Sequence, residues 1–280
     1  MTFINTLAYR IFTELYASGG VYMSVIRTDK WLNEFYPNPI KLCEKLTGYF
    51  EEASAAELYD YLLLHGMYRP NRGGDEQVQR LQKNKVWEIV QKELQVLQKL
   101  WGGPNIPIFI FPANSRNRKI QKDFNGKSGL SFKDKIFLFL SDQNTEQEIR
   151  AVFTHEYNHV CRLSKFAANE KDLVLLDTII LEGLAENAVW ERLGEKLLAG
   201  WTSYYSDEEL EKMWNRLILP NKNIRSTERR HHELLYGLRM SYPKMLGYCV
   251  GYYLVKKYVN EKGISSKDLL AIQSHIIAQI

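Results

Sequence analysis

With 280 residues, 45% of them hydrophobic, and a formal charge of +4, the chain has the make-up of an ordinary globular protein. It has room for one large domain, or for a catalytic domain with a helical accessory part. The modest charge is spread out, with no basic stripe and no nucleic-acid-binding motif, so nucleic acid is not an expected partner. Three cysteines, Cys43, Cys161 and Cys249, are an odd number at unrelated spacings, which points to a reducing compartment and a cytoplasmic location.

In chain order, Thr2 to Tyr22 is fairly apolar but interrupted by Arg10 and Glu14, and no small-residue cleavage pattern follows a basic start. It is read as neither a signal peptide nor a transmembrane segment. Helical patterning begins at Pro39, with segments Pro39 to Phe50, Ala53 to Leu64 and Glu76 to Leu100, the last two separated by the turn-rich stretch Met67 to Gly74. Val78, Leu81, Val86, Ile89, Val90, Leu94, Leu97 and Trp101 give the third segment an apolar stripe that stops at Gly102-Gly103-Pro104. His65 stands alone and reads as structural. Residues 1–104 are therefore expected to form a helical N-terminal region, followed by a second domain over residues 105–280.

Two short apolar runs, Ile106 to Phe111 and Ile136 to Leu140, have the composition of buried strands. After the second, Ser141-Asp142-Gln143-Asn144 is a turn, and Thr145-Glu146-Gln147-Glu148 is a capping box. Ile149, Val152, Phe153, Val160 and Leu163 then follow at near-helical spacing. The order is strand, tight turn, helix.

That helix carries His155-Glu156-Tyr157-Asn158-His159, an H-E-x-x-H sequence. Residues four apart stand above one another on one helix face, so His155 and His159 can both present an imidazole nitrogen to one metal ion. Glu156 projects about 100° round the helix from His155, flanking such an ion within reach of a bound water. This is the zinc-hydrolase arrangement of two ligands and a general base. Cys161 points across the helix from His159 and reads as a small buried thiol.

A second helix is expected from about Asp177 to Leu193, where Ile179, Glu182, Ala185, Glu186, Val189 and Leu193 share a face. Ionised carboxylates on a buried face are costly without partners. Glu182 would complete a His-His-Glu site with a fourth position open, and Glu186, one turn later, could accept a hydrogen bond from the distal ring N–H of a ligating histidine.

His-Glu-Tyr-Asn-His, then Glu182-Gly183-Leu184-Ala185-Glu186, then Gly247-Tyr248-Cys249-Val250-Gly251-Tyr252-Tyr253-Leu254-Val255, together resemble the bacterial YjaZ-like family of predicted zinc-dependent metalloproteases, of the gluzincin type. The resemblance is densest from about Asn105 to Gly263, with further likeness at Val25 to Leu32 and Pro39 to Leu46. It begins just after Met23, so residues 1–22 are expected to be an extension. The resemblance implies a thermolysin-like zincin catalytic domain, with Zn2+ held by His155, His159 and Glu182 and with Glu156 as the base. Leu181 stands where many gluzincins have asparagine. A metzincin would need a glycine and a third histidine shortly after His159, and Val160 to Lys165 supply neither.

Aminopeptidase-type gluzincins take their oxyanion donor from a tyrosine three residues before a glycine, and Tyr248 is similarly placed before Gly251. The other reading of this segment is a close-packed helix face in which tyrosines only bury their rings. His231-His232 is a further donor candidate, set in Arg229-Arg230-His231-His232-Glu233, which looks like a solvated helix surface. Gly126 to Phe132 is either an edge strand that pairs with an extended peptide or a hairpin turn between the two apolar strands.

The expected protein is thus a mainly helical α+β zinc-dependent peptide hydrolase acting on a peptide or protein substrate, with endo- and exopeptidase activity not separated. The other class of function is a zincin-fold binding or regulatory module without peptidase activity. The presence of three candidate ligands together with Glu156 favours the enzyme, because a structural site needs no base and is closed by a fourth protein ligand. A zinc hydrolase acting on a non-peptide bond is a third option.

Overall fold

The computed structural model describes residues 24–118, 121, 124–166, 172–238 and 242–280; the extension read over residues 1–22 lies outside them. The N-terminal part is helical: α1 Thr28–Phe35, α2 Pro39–Cys43, α3 Ala55–His65, α4 Gly74–Lys83 and α5 Val86–Trp101. Pro39 sits in the first turn of α2, and the Asn38 side chain accepts from the Lys41 N–H at 3.2 Å. The helix expected to run on to Phe50 tightens instead into a 3-10 segment over Glu44–Tyr49. Thr47 and Gly48 are weak helix formers, and the Thr47 hydroxyl turns back to the Glu44 carbonyl at 2.9 Å. The long helix expected over Glu76 to Leu100 is two helices, α4 and α5, because Lys85 adopts a left-handed backbone (φ 55°). The apolar stripe continues across the break, which is why periodicity alone runs through it.

Three strands, β1 Ile108–Pro112, β2 Ser128–Ser131 and β3 Ile136–Leu140, form one sheet in the order β1-β3-β2. β3 is parallel to β1 and antiparallel to β2. Parallel neighbours cannot be joined by a hairpin, so the Gly126 to Phe132 segment is a strand in its own right at one end of the sheet. β1 and β3 are buried on both faces and read as unbroken apolar runs. β2 is only half-buried and polar.

The capping box forms as expected and starts α6, Glu146–Lys165, with the Thr145 hydroxyl accepting from the Glu148 N–H and the Glu148 carboxylate accepting from the Thr145 N–H. Then come α7 Leu175–Leu193, α8 Asp207–Met213, α9 Arg229–Tyr236, α10 Leu246–Lys262, and the short α11 Ser266–Leu269 and α12 Ser274–Ile277. The whole is an α+β protein, mainly helical, with a small sheet. No helix among the described residues is long and apolar enough to cross a membrane.

Buried apolar residues fall into two clusters. The N-terminal helices, the sheet and one face of α6 make the first, while most of α7, with α10 and the later helices, makes the second. The clusters meet where α6 packs on α7; two devices fix that seam, and a third holds α10 on α7. Glu93 on α5 is almost fully buried between Arg150 of α6, at 2.8 Å, and Arg192 of α7. Buried Arg162 of α6 donates to the carbonyls of Leu269, Leu270 and Ile272 and so holds the C-terminal segment. Gly183 of α7 meets Gly251 of α10 backbone to backbone: a Cβ on Gly251 would come within 1.9 Å of the Ile179 carbonyl oxygen, and one on Gly183 within 2.3 Å of the Gly251 oxygen. Only glycine allows that approach, and it brings Tyr248 of α10 over the face of α7 that carries Glu182.

Candidate metal centre

On α6 the i and i+4 imidazoles of His155 and His159 sit edge-to-face, ring centres 4.7 Å apart. From α7, Glu182 Oε2 lies 3.3 Å from His155 Nε2 and 3.7 Å from His159 Nε2. One donor atom from each of the three residues falls within a 4.8 Å cluster. Two ligands of a tetrahedral zinc at Zn–N and Zn–O distances near 2.0 to 2.1 Å stand about 3.3 Å apart. The donor set of two imidazoles and a carboxylate, at that spacing, fits zinc.

Around this trio the polar groups are ordered. Glu186 Oε2 is 2.9 Å from His155 Nδ1, and its Oε1 accepts the Ala199 N–H, tying the histidine to the loop that follows α7. Burial opposes a charge on His155, and Glu182 and Glu186, one on each ring nitrogen, together outweigh it, holding the imidazole well above its ordinary range. Burial pushes His159 down to about 4 and so keeps it neutral, the form that ligates a metal. Burial also disfavours a charged Glu182, but the two histidines outweigh that and hold it below the usual carboxylate range.

Glu156 leaves the face that His155 and His159 share and turns toward β2. Its carboxylate is buried, which pushes it up to about 7, a value suited to a group that takes and returns a proton near neutrality. Ser131 Oγ on β2 lies 2.5 Å from its Oε2 and 2.9 Å from its main-chain oxygen. Tyr248, half-buried, has its ring edge-on to Trp201 at 5.3 Å, and its hydroxyl reaches both Glu182 and Tyr236.

The remaining candidates lie apart from this group. His231 is not on a solvated surface: it is 2% exposed, and its Nε2 is 3.0 Å from Thr178 Oγ1. Arg229, Arg230 and His232 are exposed and give the segment its solvated character, yet His231 falls on the face of α9 that packs against α7. Cys161 is buried, with its thiol pushed up to about 12 by burial, and it is not among the gathered donor atoms. All three cysteines are free and buried. Sequence reading did not find Ser131, Tyr236 or the Ala199 N–H as parts of the site. Ser131 lay inside the glycine-bearing stretch picked out for its backbone, where a lone serine gave no chemical signal.

A protein-family model described as "Predicted Zn-dependent protease (DUF2268)" matches residues 86–279, from the start of α5 through α12. The chain is also 44% identical over 212 residues to the YjaZ protein of Bacillus subtilis (strain 168), an alignment spanning 76% of this chain and 81% of that protein. The chain belongs to this family. Another B. subtilis protein, YjfC, is 21% identical over 257 residues, 85% of this chain and 82% of its own length. No solved structure matches the chain. The residues gathered on α6 and α7 lie within the region that the family model covers.

Proposed function

We propose that the protein is a zinc-dependent peptide hydrolase of the gluzincin type, built on a thermolysin-like catalytic fold. His155, His159 and Glu182 hold the metal, Glu156 is the general base, and Tyr248 is the donor to the developing oxyanion. The observation that carries this reading is the convergence of three donor atoms within 4.8 Å, with the Glu182 oxygen 3.3 and 3.7 Å from the two imidazole nitrogens, beside a buried carboxylate that is not among them. A zinc ion held by these three residues would supply Lewis acidity, activating water as a nucleophile near neutral pH and polarising the scissile carbonyl.

The chain's own residues supply the rest. Glu156 takes a proton from the attacking water and delivers it to the leaving amine. Glu186 fixes the orientation of His155 by receiving its Nδ1–H. β2, half-buried at the end of the sheet and carrying Gly129, offers an edge on which an extended peptide pairs by strand addition. The test combines metal analysis of the purified protein with digestion of a peptide library. One equivalent of zinc with cleavage supports the reading; zinc without cleavage favours a binding module or another substrate; no zinc after careful handling removes the site.

Two smaller effects follow from this assignment. Glu186→Ala should weaken zinc binding or activity by roughly 10- to 100-fold, the usual cost of losing a group that orients a ligand, measured by titration against a competing chelator. Tyr248→Phe should keep zinc and KM while lowering kcat by about tenfold or more, because its hydroxyl contributes only where charge develops on the carbonyl oxygen. Steady-state kinetics separate the two constants, and a loss confined to KM would remove Tyr248 from the chemistry.

A further inference from the structure

Gly129 and Ser131 are two residues apart on β2 and so face the same side of the strand, the side against α6. A Cβ on Gly129 would lie 2.2 Å from Glu156 Cγ and 2.3 Å from both its Cδ and its Oε1, so the glutamate side chain runs directly beneath the strand backbone. The far end of that side chain is gripped, with Ser131 Oγ 2.5 Å from Oε2. Oε1 has no hydrogen-bond partner among the described residues. The two oxygens of one carboxylate are therefore in different situations.

We propose that Gly129 and Ser131 are positioning residues for Glu156, holding Oε2 and leaving Oε1 as the oxygen that exchanges protons with water and leaving group. The proposal rests on the assignment of Glu156 as general base. A carboxylate on a free rotamer would sample several directions, whereas one with a lidded flank and an anchored oxygen presents the other oxygen in one direction only, and orientation of this kind carries much of a catalytic advantage. A serine suits the task because its hydroxyl has one proton and two acceptors in reach. That proton is donated to Oε2, and the Glu156 main-chain oxygen, 2.9 Å away, is the second acceptor, so one hydroxyl lies against both the carboxylate and the helix backbone that carries it. The serine proton stays on serine throughout, and the proton count of the reaction is unchanged. The same contact places the catalytic helix directly under the strand proposed to receive the peptide, so the base and the substrate edge are registered by one side chain.

The test uses the full chain loaded with zinc, in Ser131→Ala, Ser131→Thr and Gly129→Ala forms. Crystal structures of each are compared with the parent, and kinetics are followed on a fluorescence-quenched peptide library. Ser131→Ala should retain one zinc and the parental KM, show the Glu156 carboxylate displaced from beneath β2, and lose kcat by about tenfold to a hundredfold; Ser131→Thr, which keeps the hydroxyl, should restore both position and rate. Gly129→Ala should expel the Glu156 side chain with zinc still bound. A Ser131→Ala structure with the carboxylate unmoved, or a rate loss that threonine does not repair, overturns the proposal and leaves Ser131 as a tie between strand and helix. A parent that binds zinc but cleaves nothing overturns the peptidase reading instead, and the crystallographic comparison then still decides whether Ser131 and Gly129 place the carboxylate.

Discussion

Glu156→Gln should fold, bind zinc and bind substrate like the parent, yet turn over at least about 10² to 10⁴ times more slowly, the contribution of a positioned general base. The substitution is nearly isosteric, and the amide oxygen can still accept from Ser131 at the place of Oε2. What disappears is the proton acceptor at the place of Oε1. None of the three candidate ligands is altered, and the Glu186 contact to His155 Nδ1 uses neither oxygen of Glu156. The loss should therefore appear in kcat and in kcat/KM equally, as for a group whose contribution is made only in the transition state. Steady-state cleavage with zinc content measured on each preparation checks this. A Glu156→Gln protein that holds zinc and cleaves at the parental rate would sink the proposed mechanism while leaving the metal site intact.

Much of this site was legible in the sequence because its first elements are local. The i, i+4 histidines need only a helix to share a face, and the capping box at Thr145 and Glu148 announces where that helix begins. Glu182 and Glu186 were found by the same reasoning, as carboxylates too costly to bury on an apolar face without partners, and each has one. The parts that escaped are those made by distant segments or by single backbone torsions. Ser131 meets Glu156 across a sheet edge, and nothing in the serine itself marks the contact. Lys85 breaks a helix by one positive φ while the apolar stripe runs on undisturbed. His231 is carried into the interior by the turn of α9 despite two neighbouring arginines. The backbone contact of Gly183 with Gly251 could be named from sequence only as a close-packed face, not as the device that sets Tyr248 over Glu182.

Removing any one of His155, His159 or Glu182 should cost the protein its zinc at concentrations where Glu186→Ala still holds it. In the proposed site each supplies one of only three protein ligands, and two remaining donors would not hold the ion against solvent water as three do. The experiment is sharpest for Glu182, because it comes from a different helix than the histidines and nothing in a local motif fixes it. Its position depends on α7 being clamped to α6 and α10, through Glu93 with Arg150 and Arg192 on one side and the Gly183 to Gly251 contact on the other. Glu182→Ala leaves that clamp in place, so the helices should keep their packing while the donor oxygen 3.3 Å from His155 Nε2 is lost. Glu182→Gln, which keeps an oxygen of lower charge, should fall between alanine and the parent. Metal content after dialysis and competition with a chromophoric chelator give the order expected: parent, then Glu186→Ala, then Glu182→Gln, with Glu182→Ala, His155→Ala and His159→Ala weakest. Full zinc retention in Glu182→Ala would move the third ligand elsewhere, and Glu186, already against His155 on the same helix face, would be the first residue to test in its place.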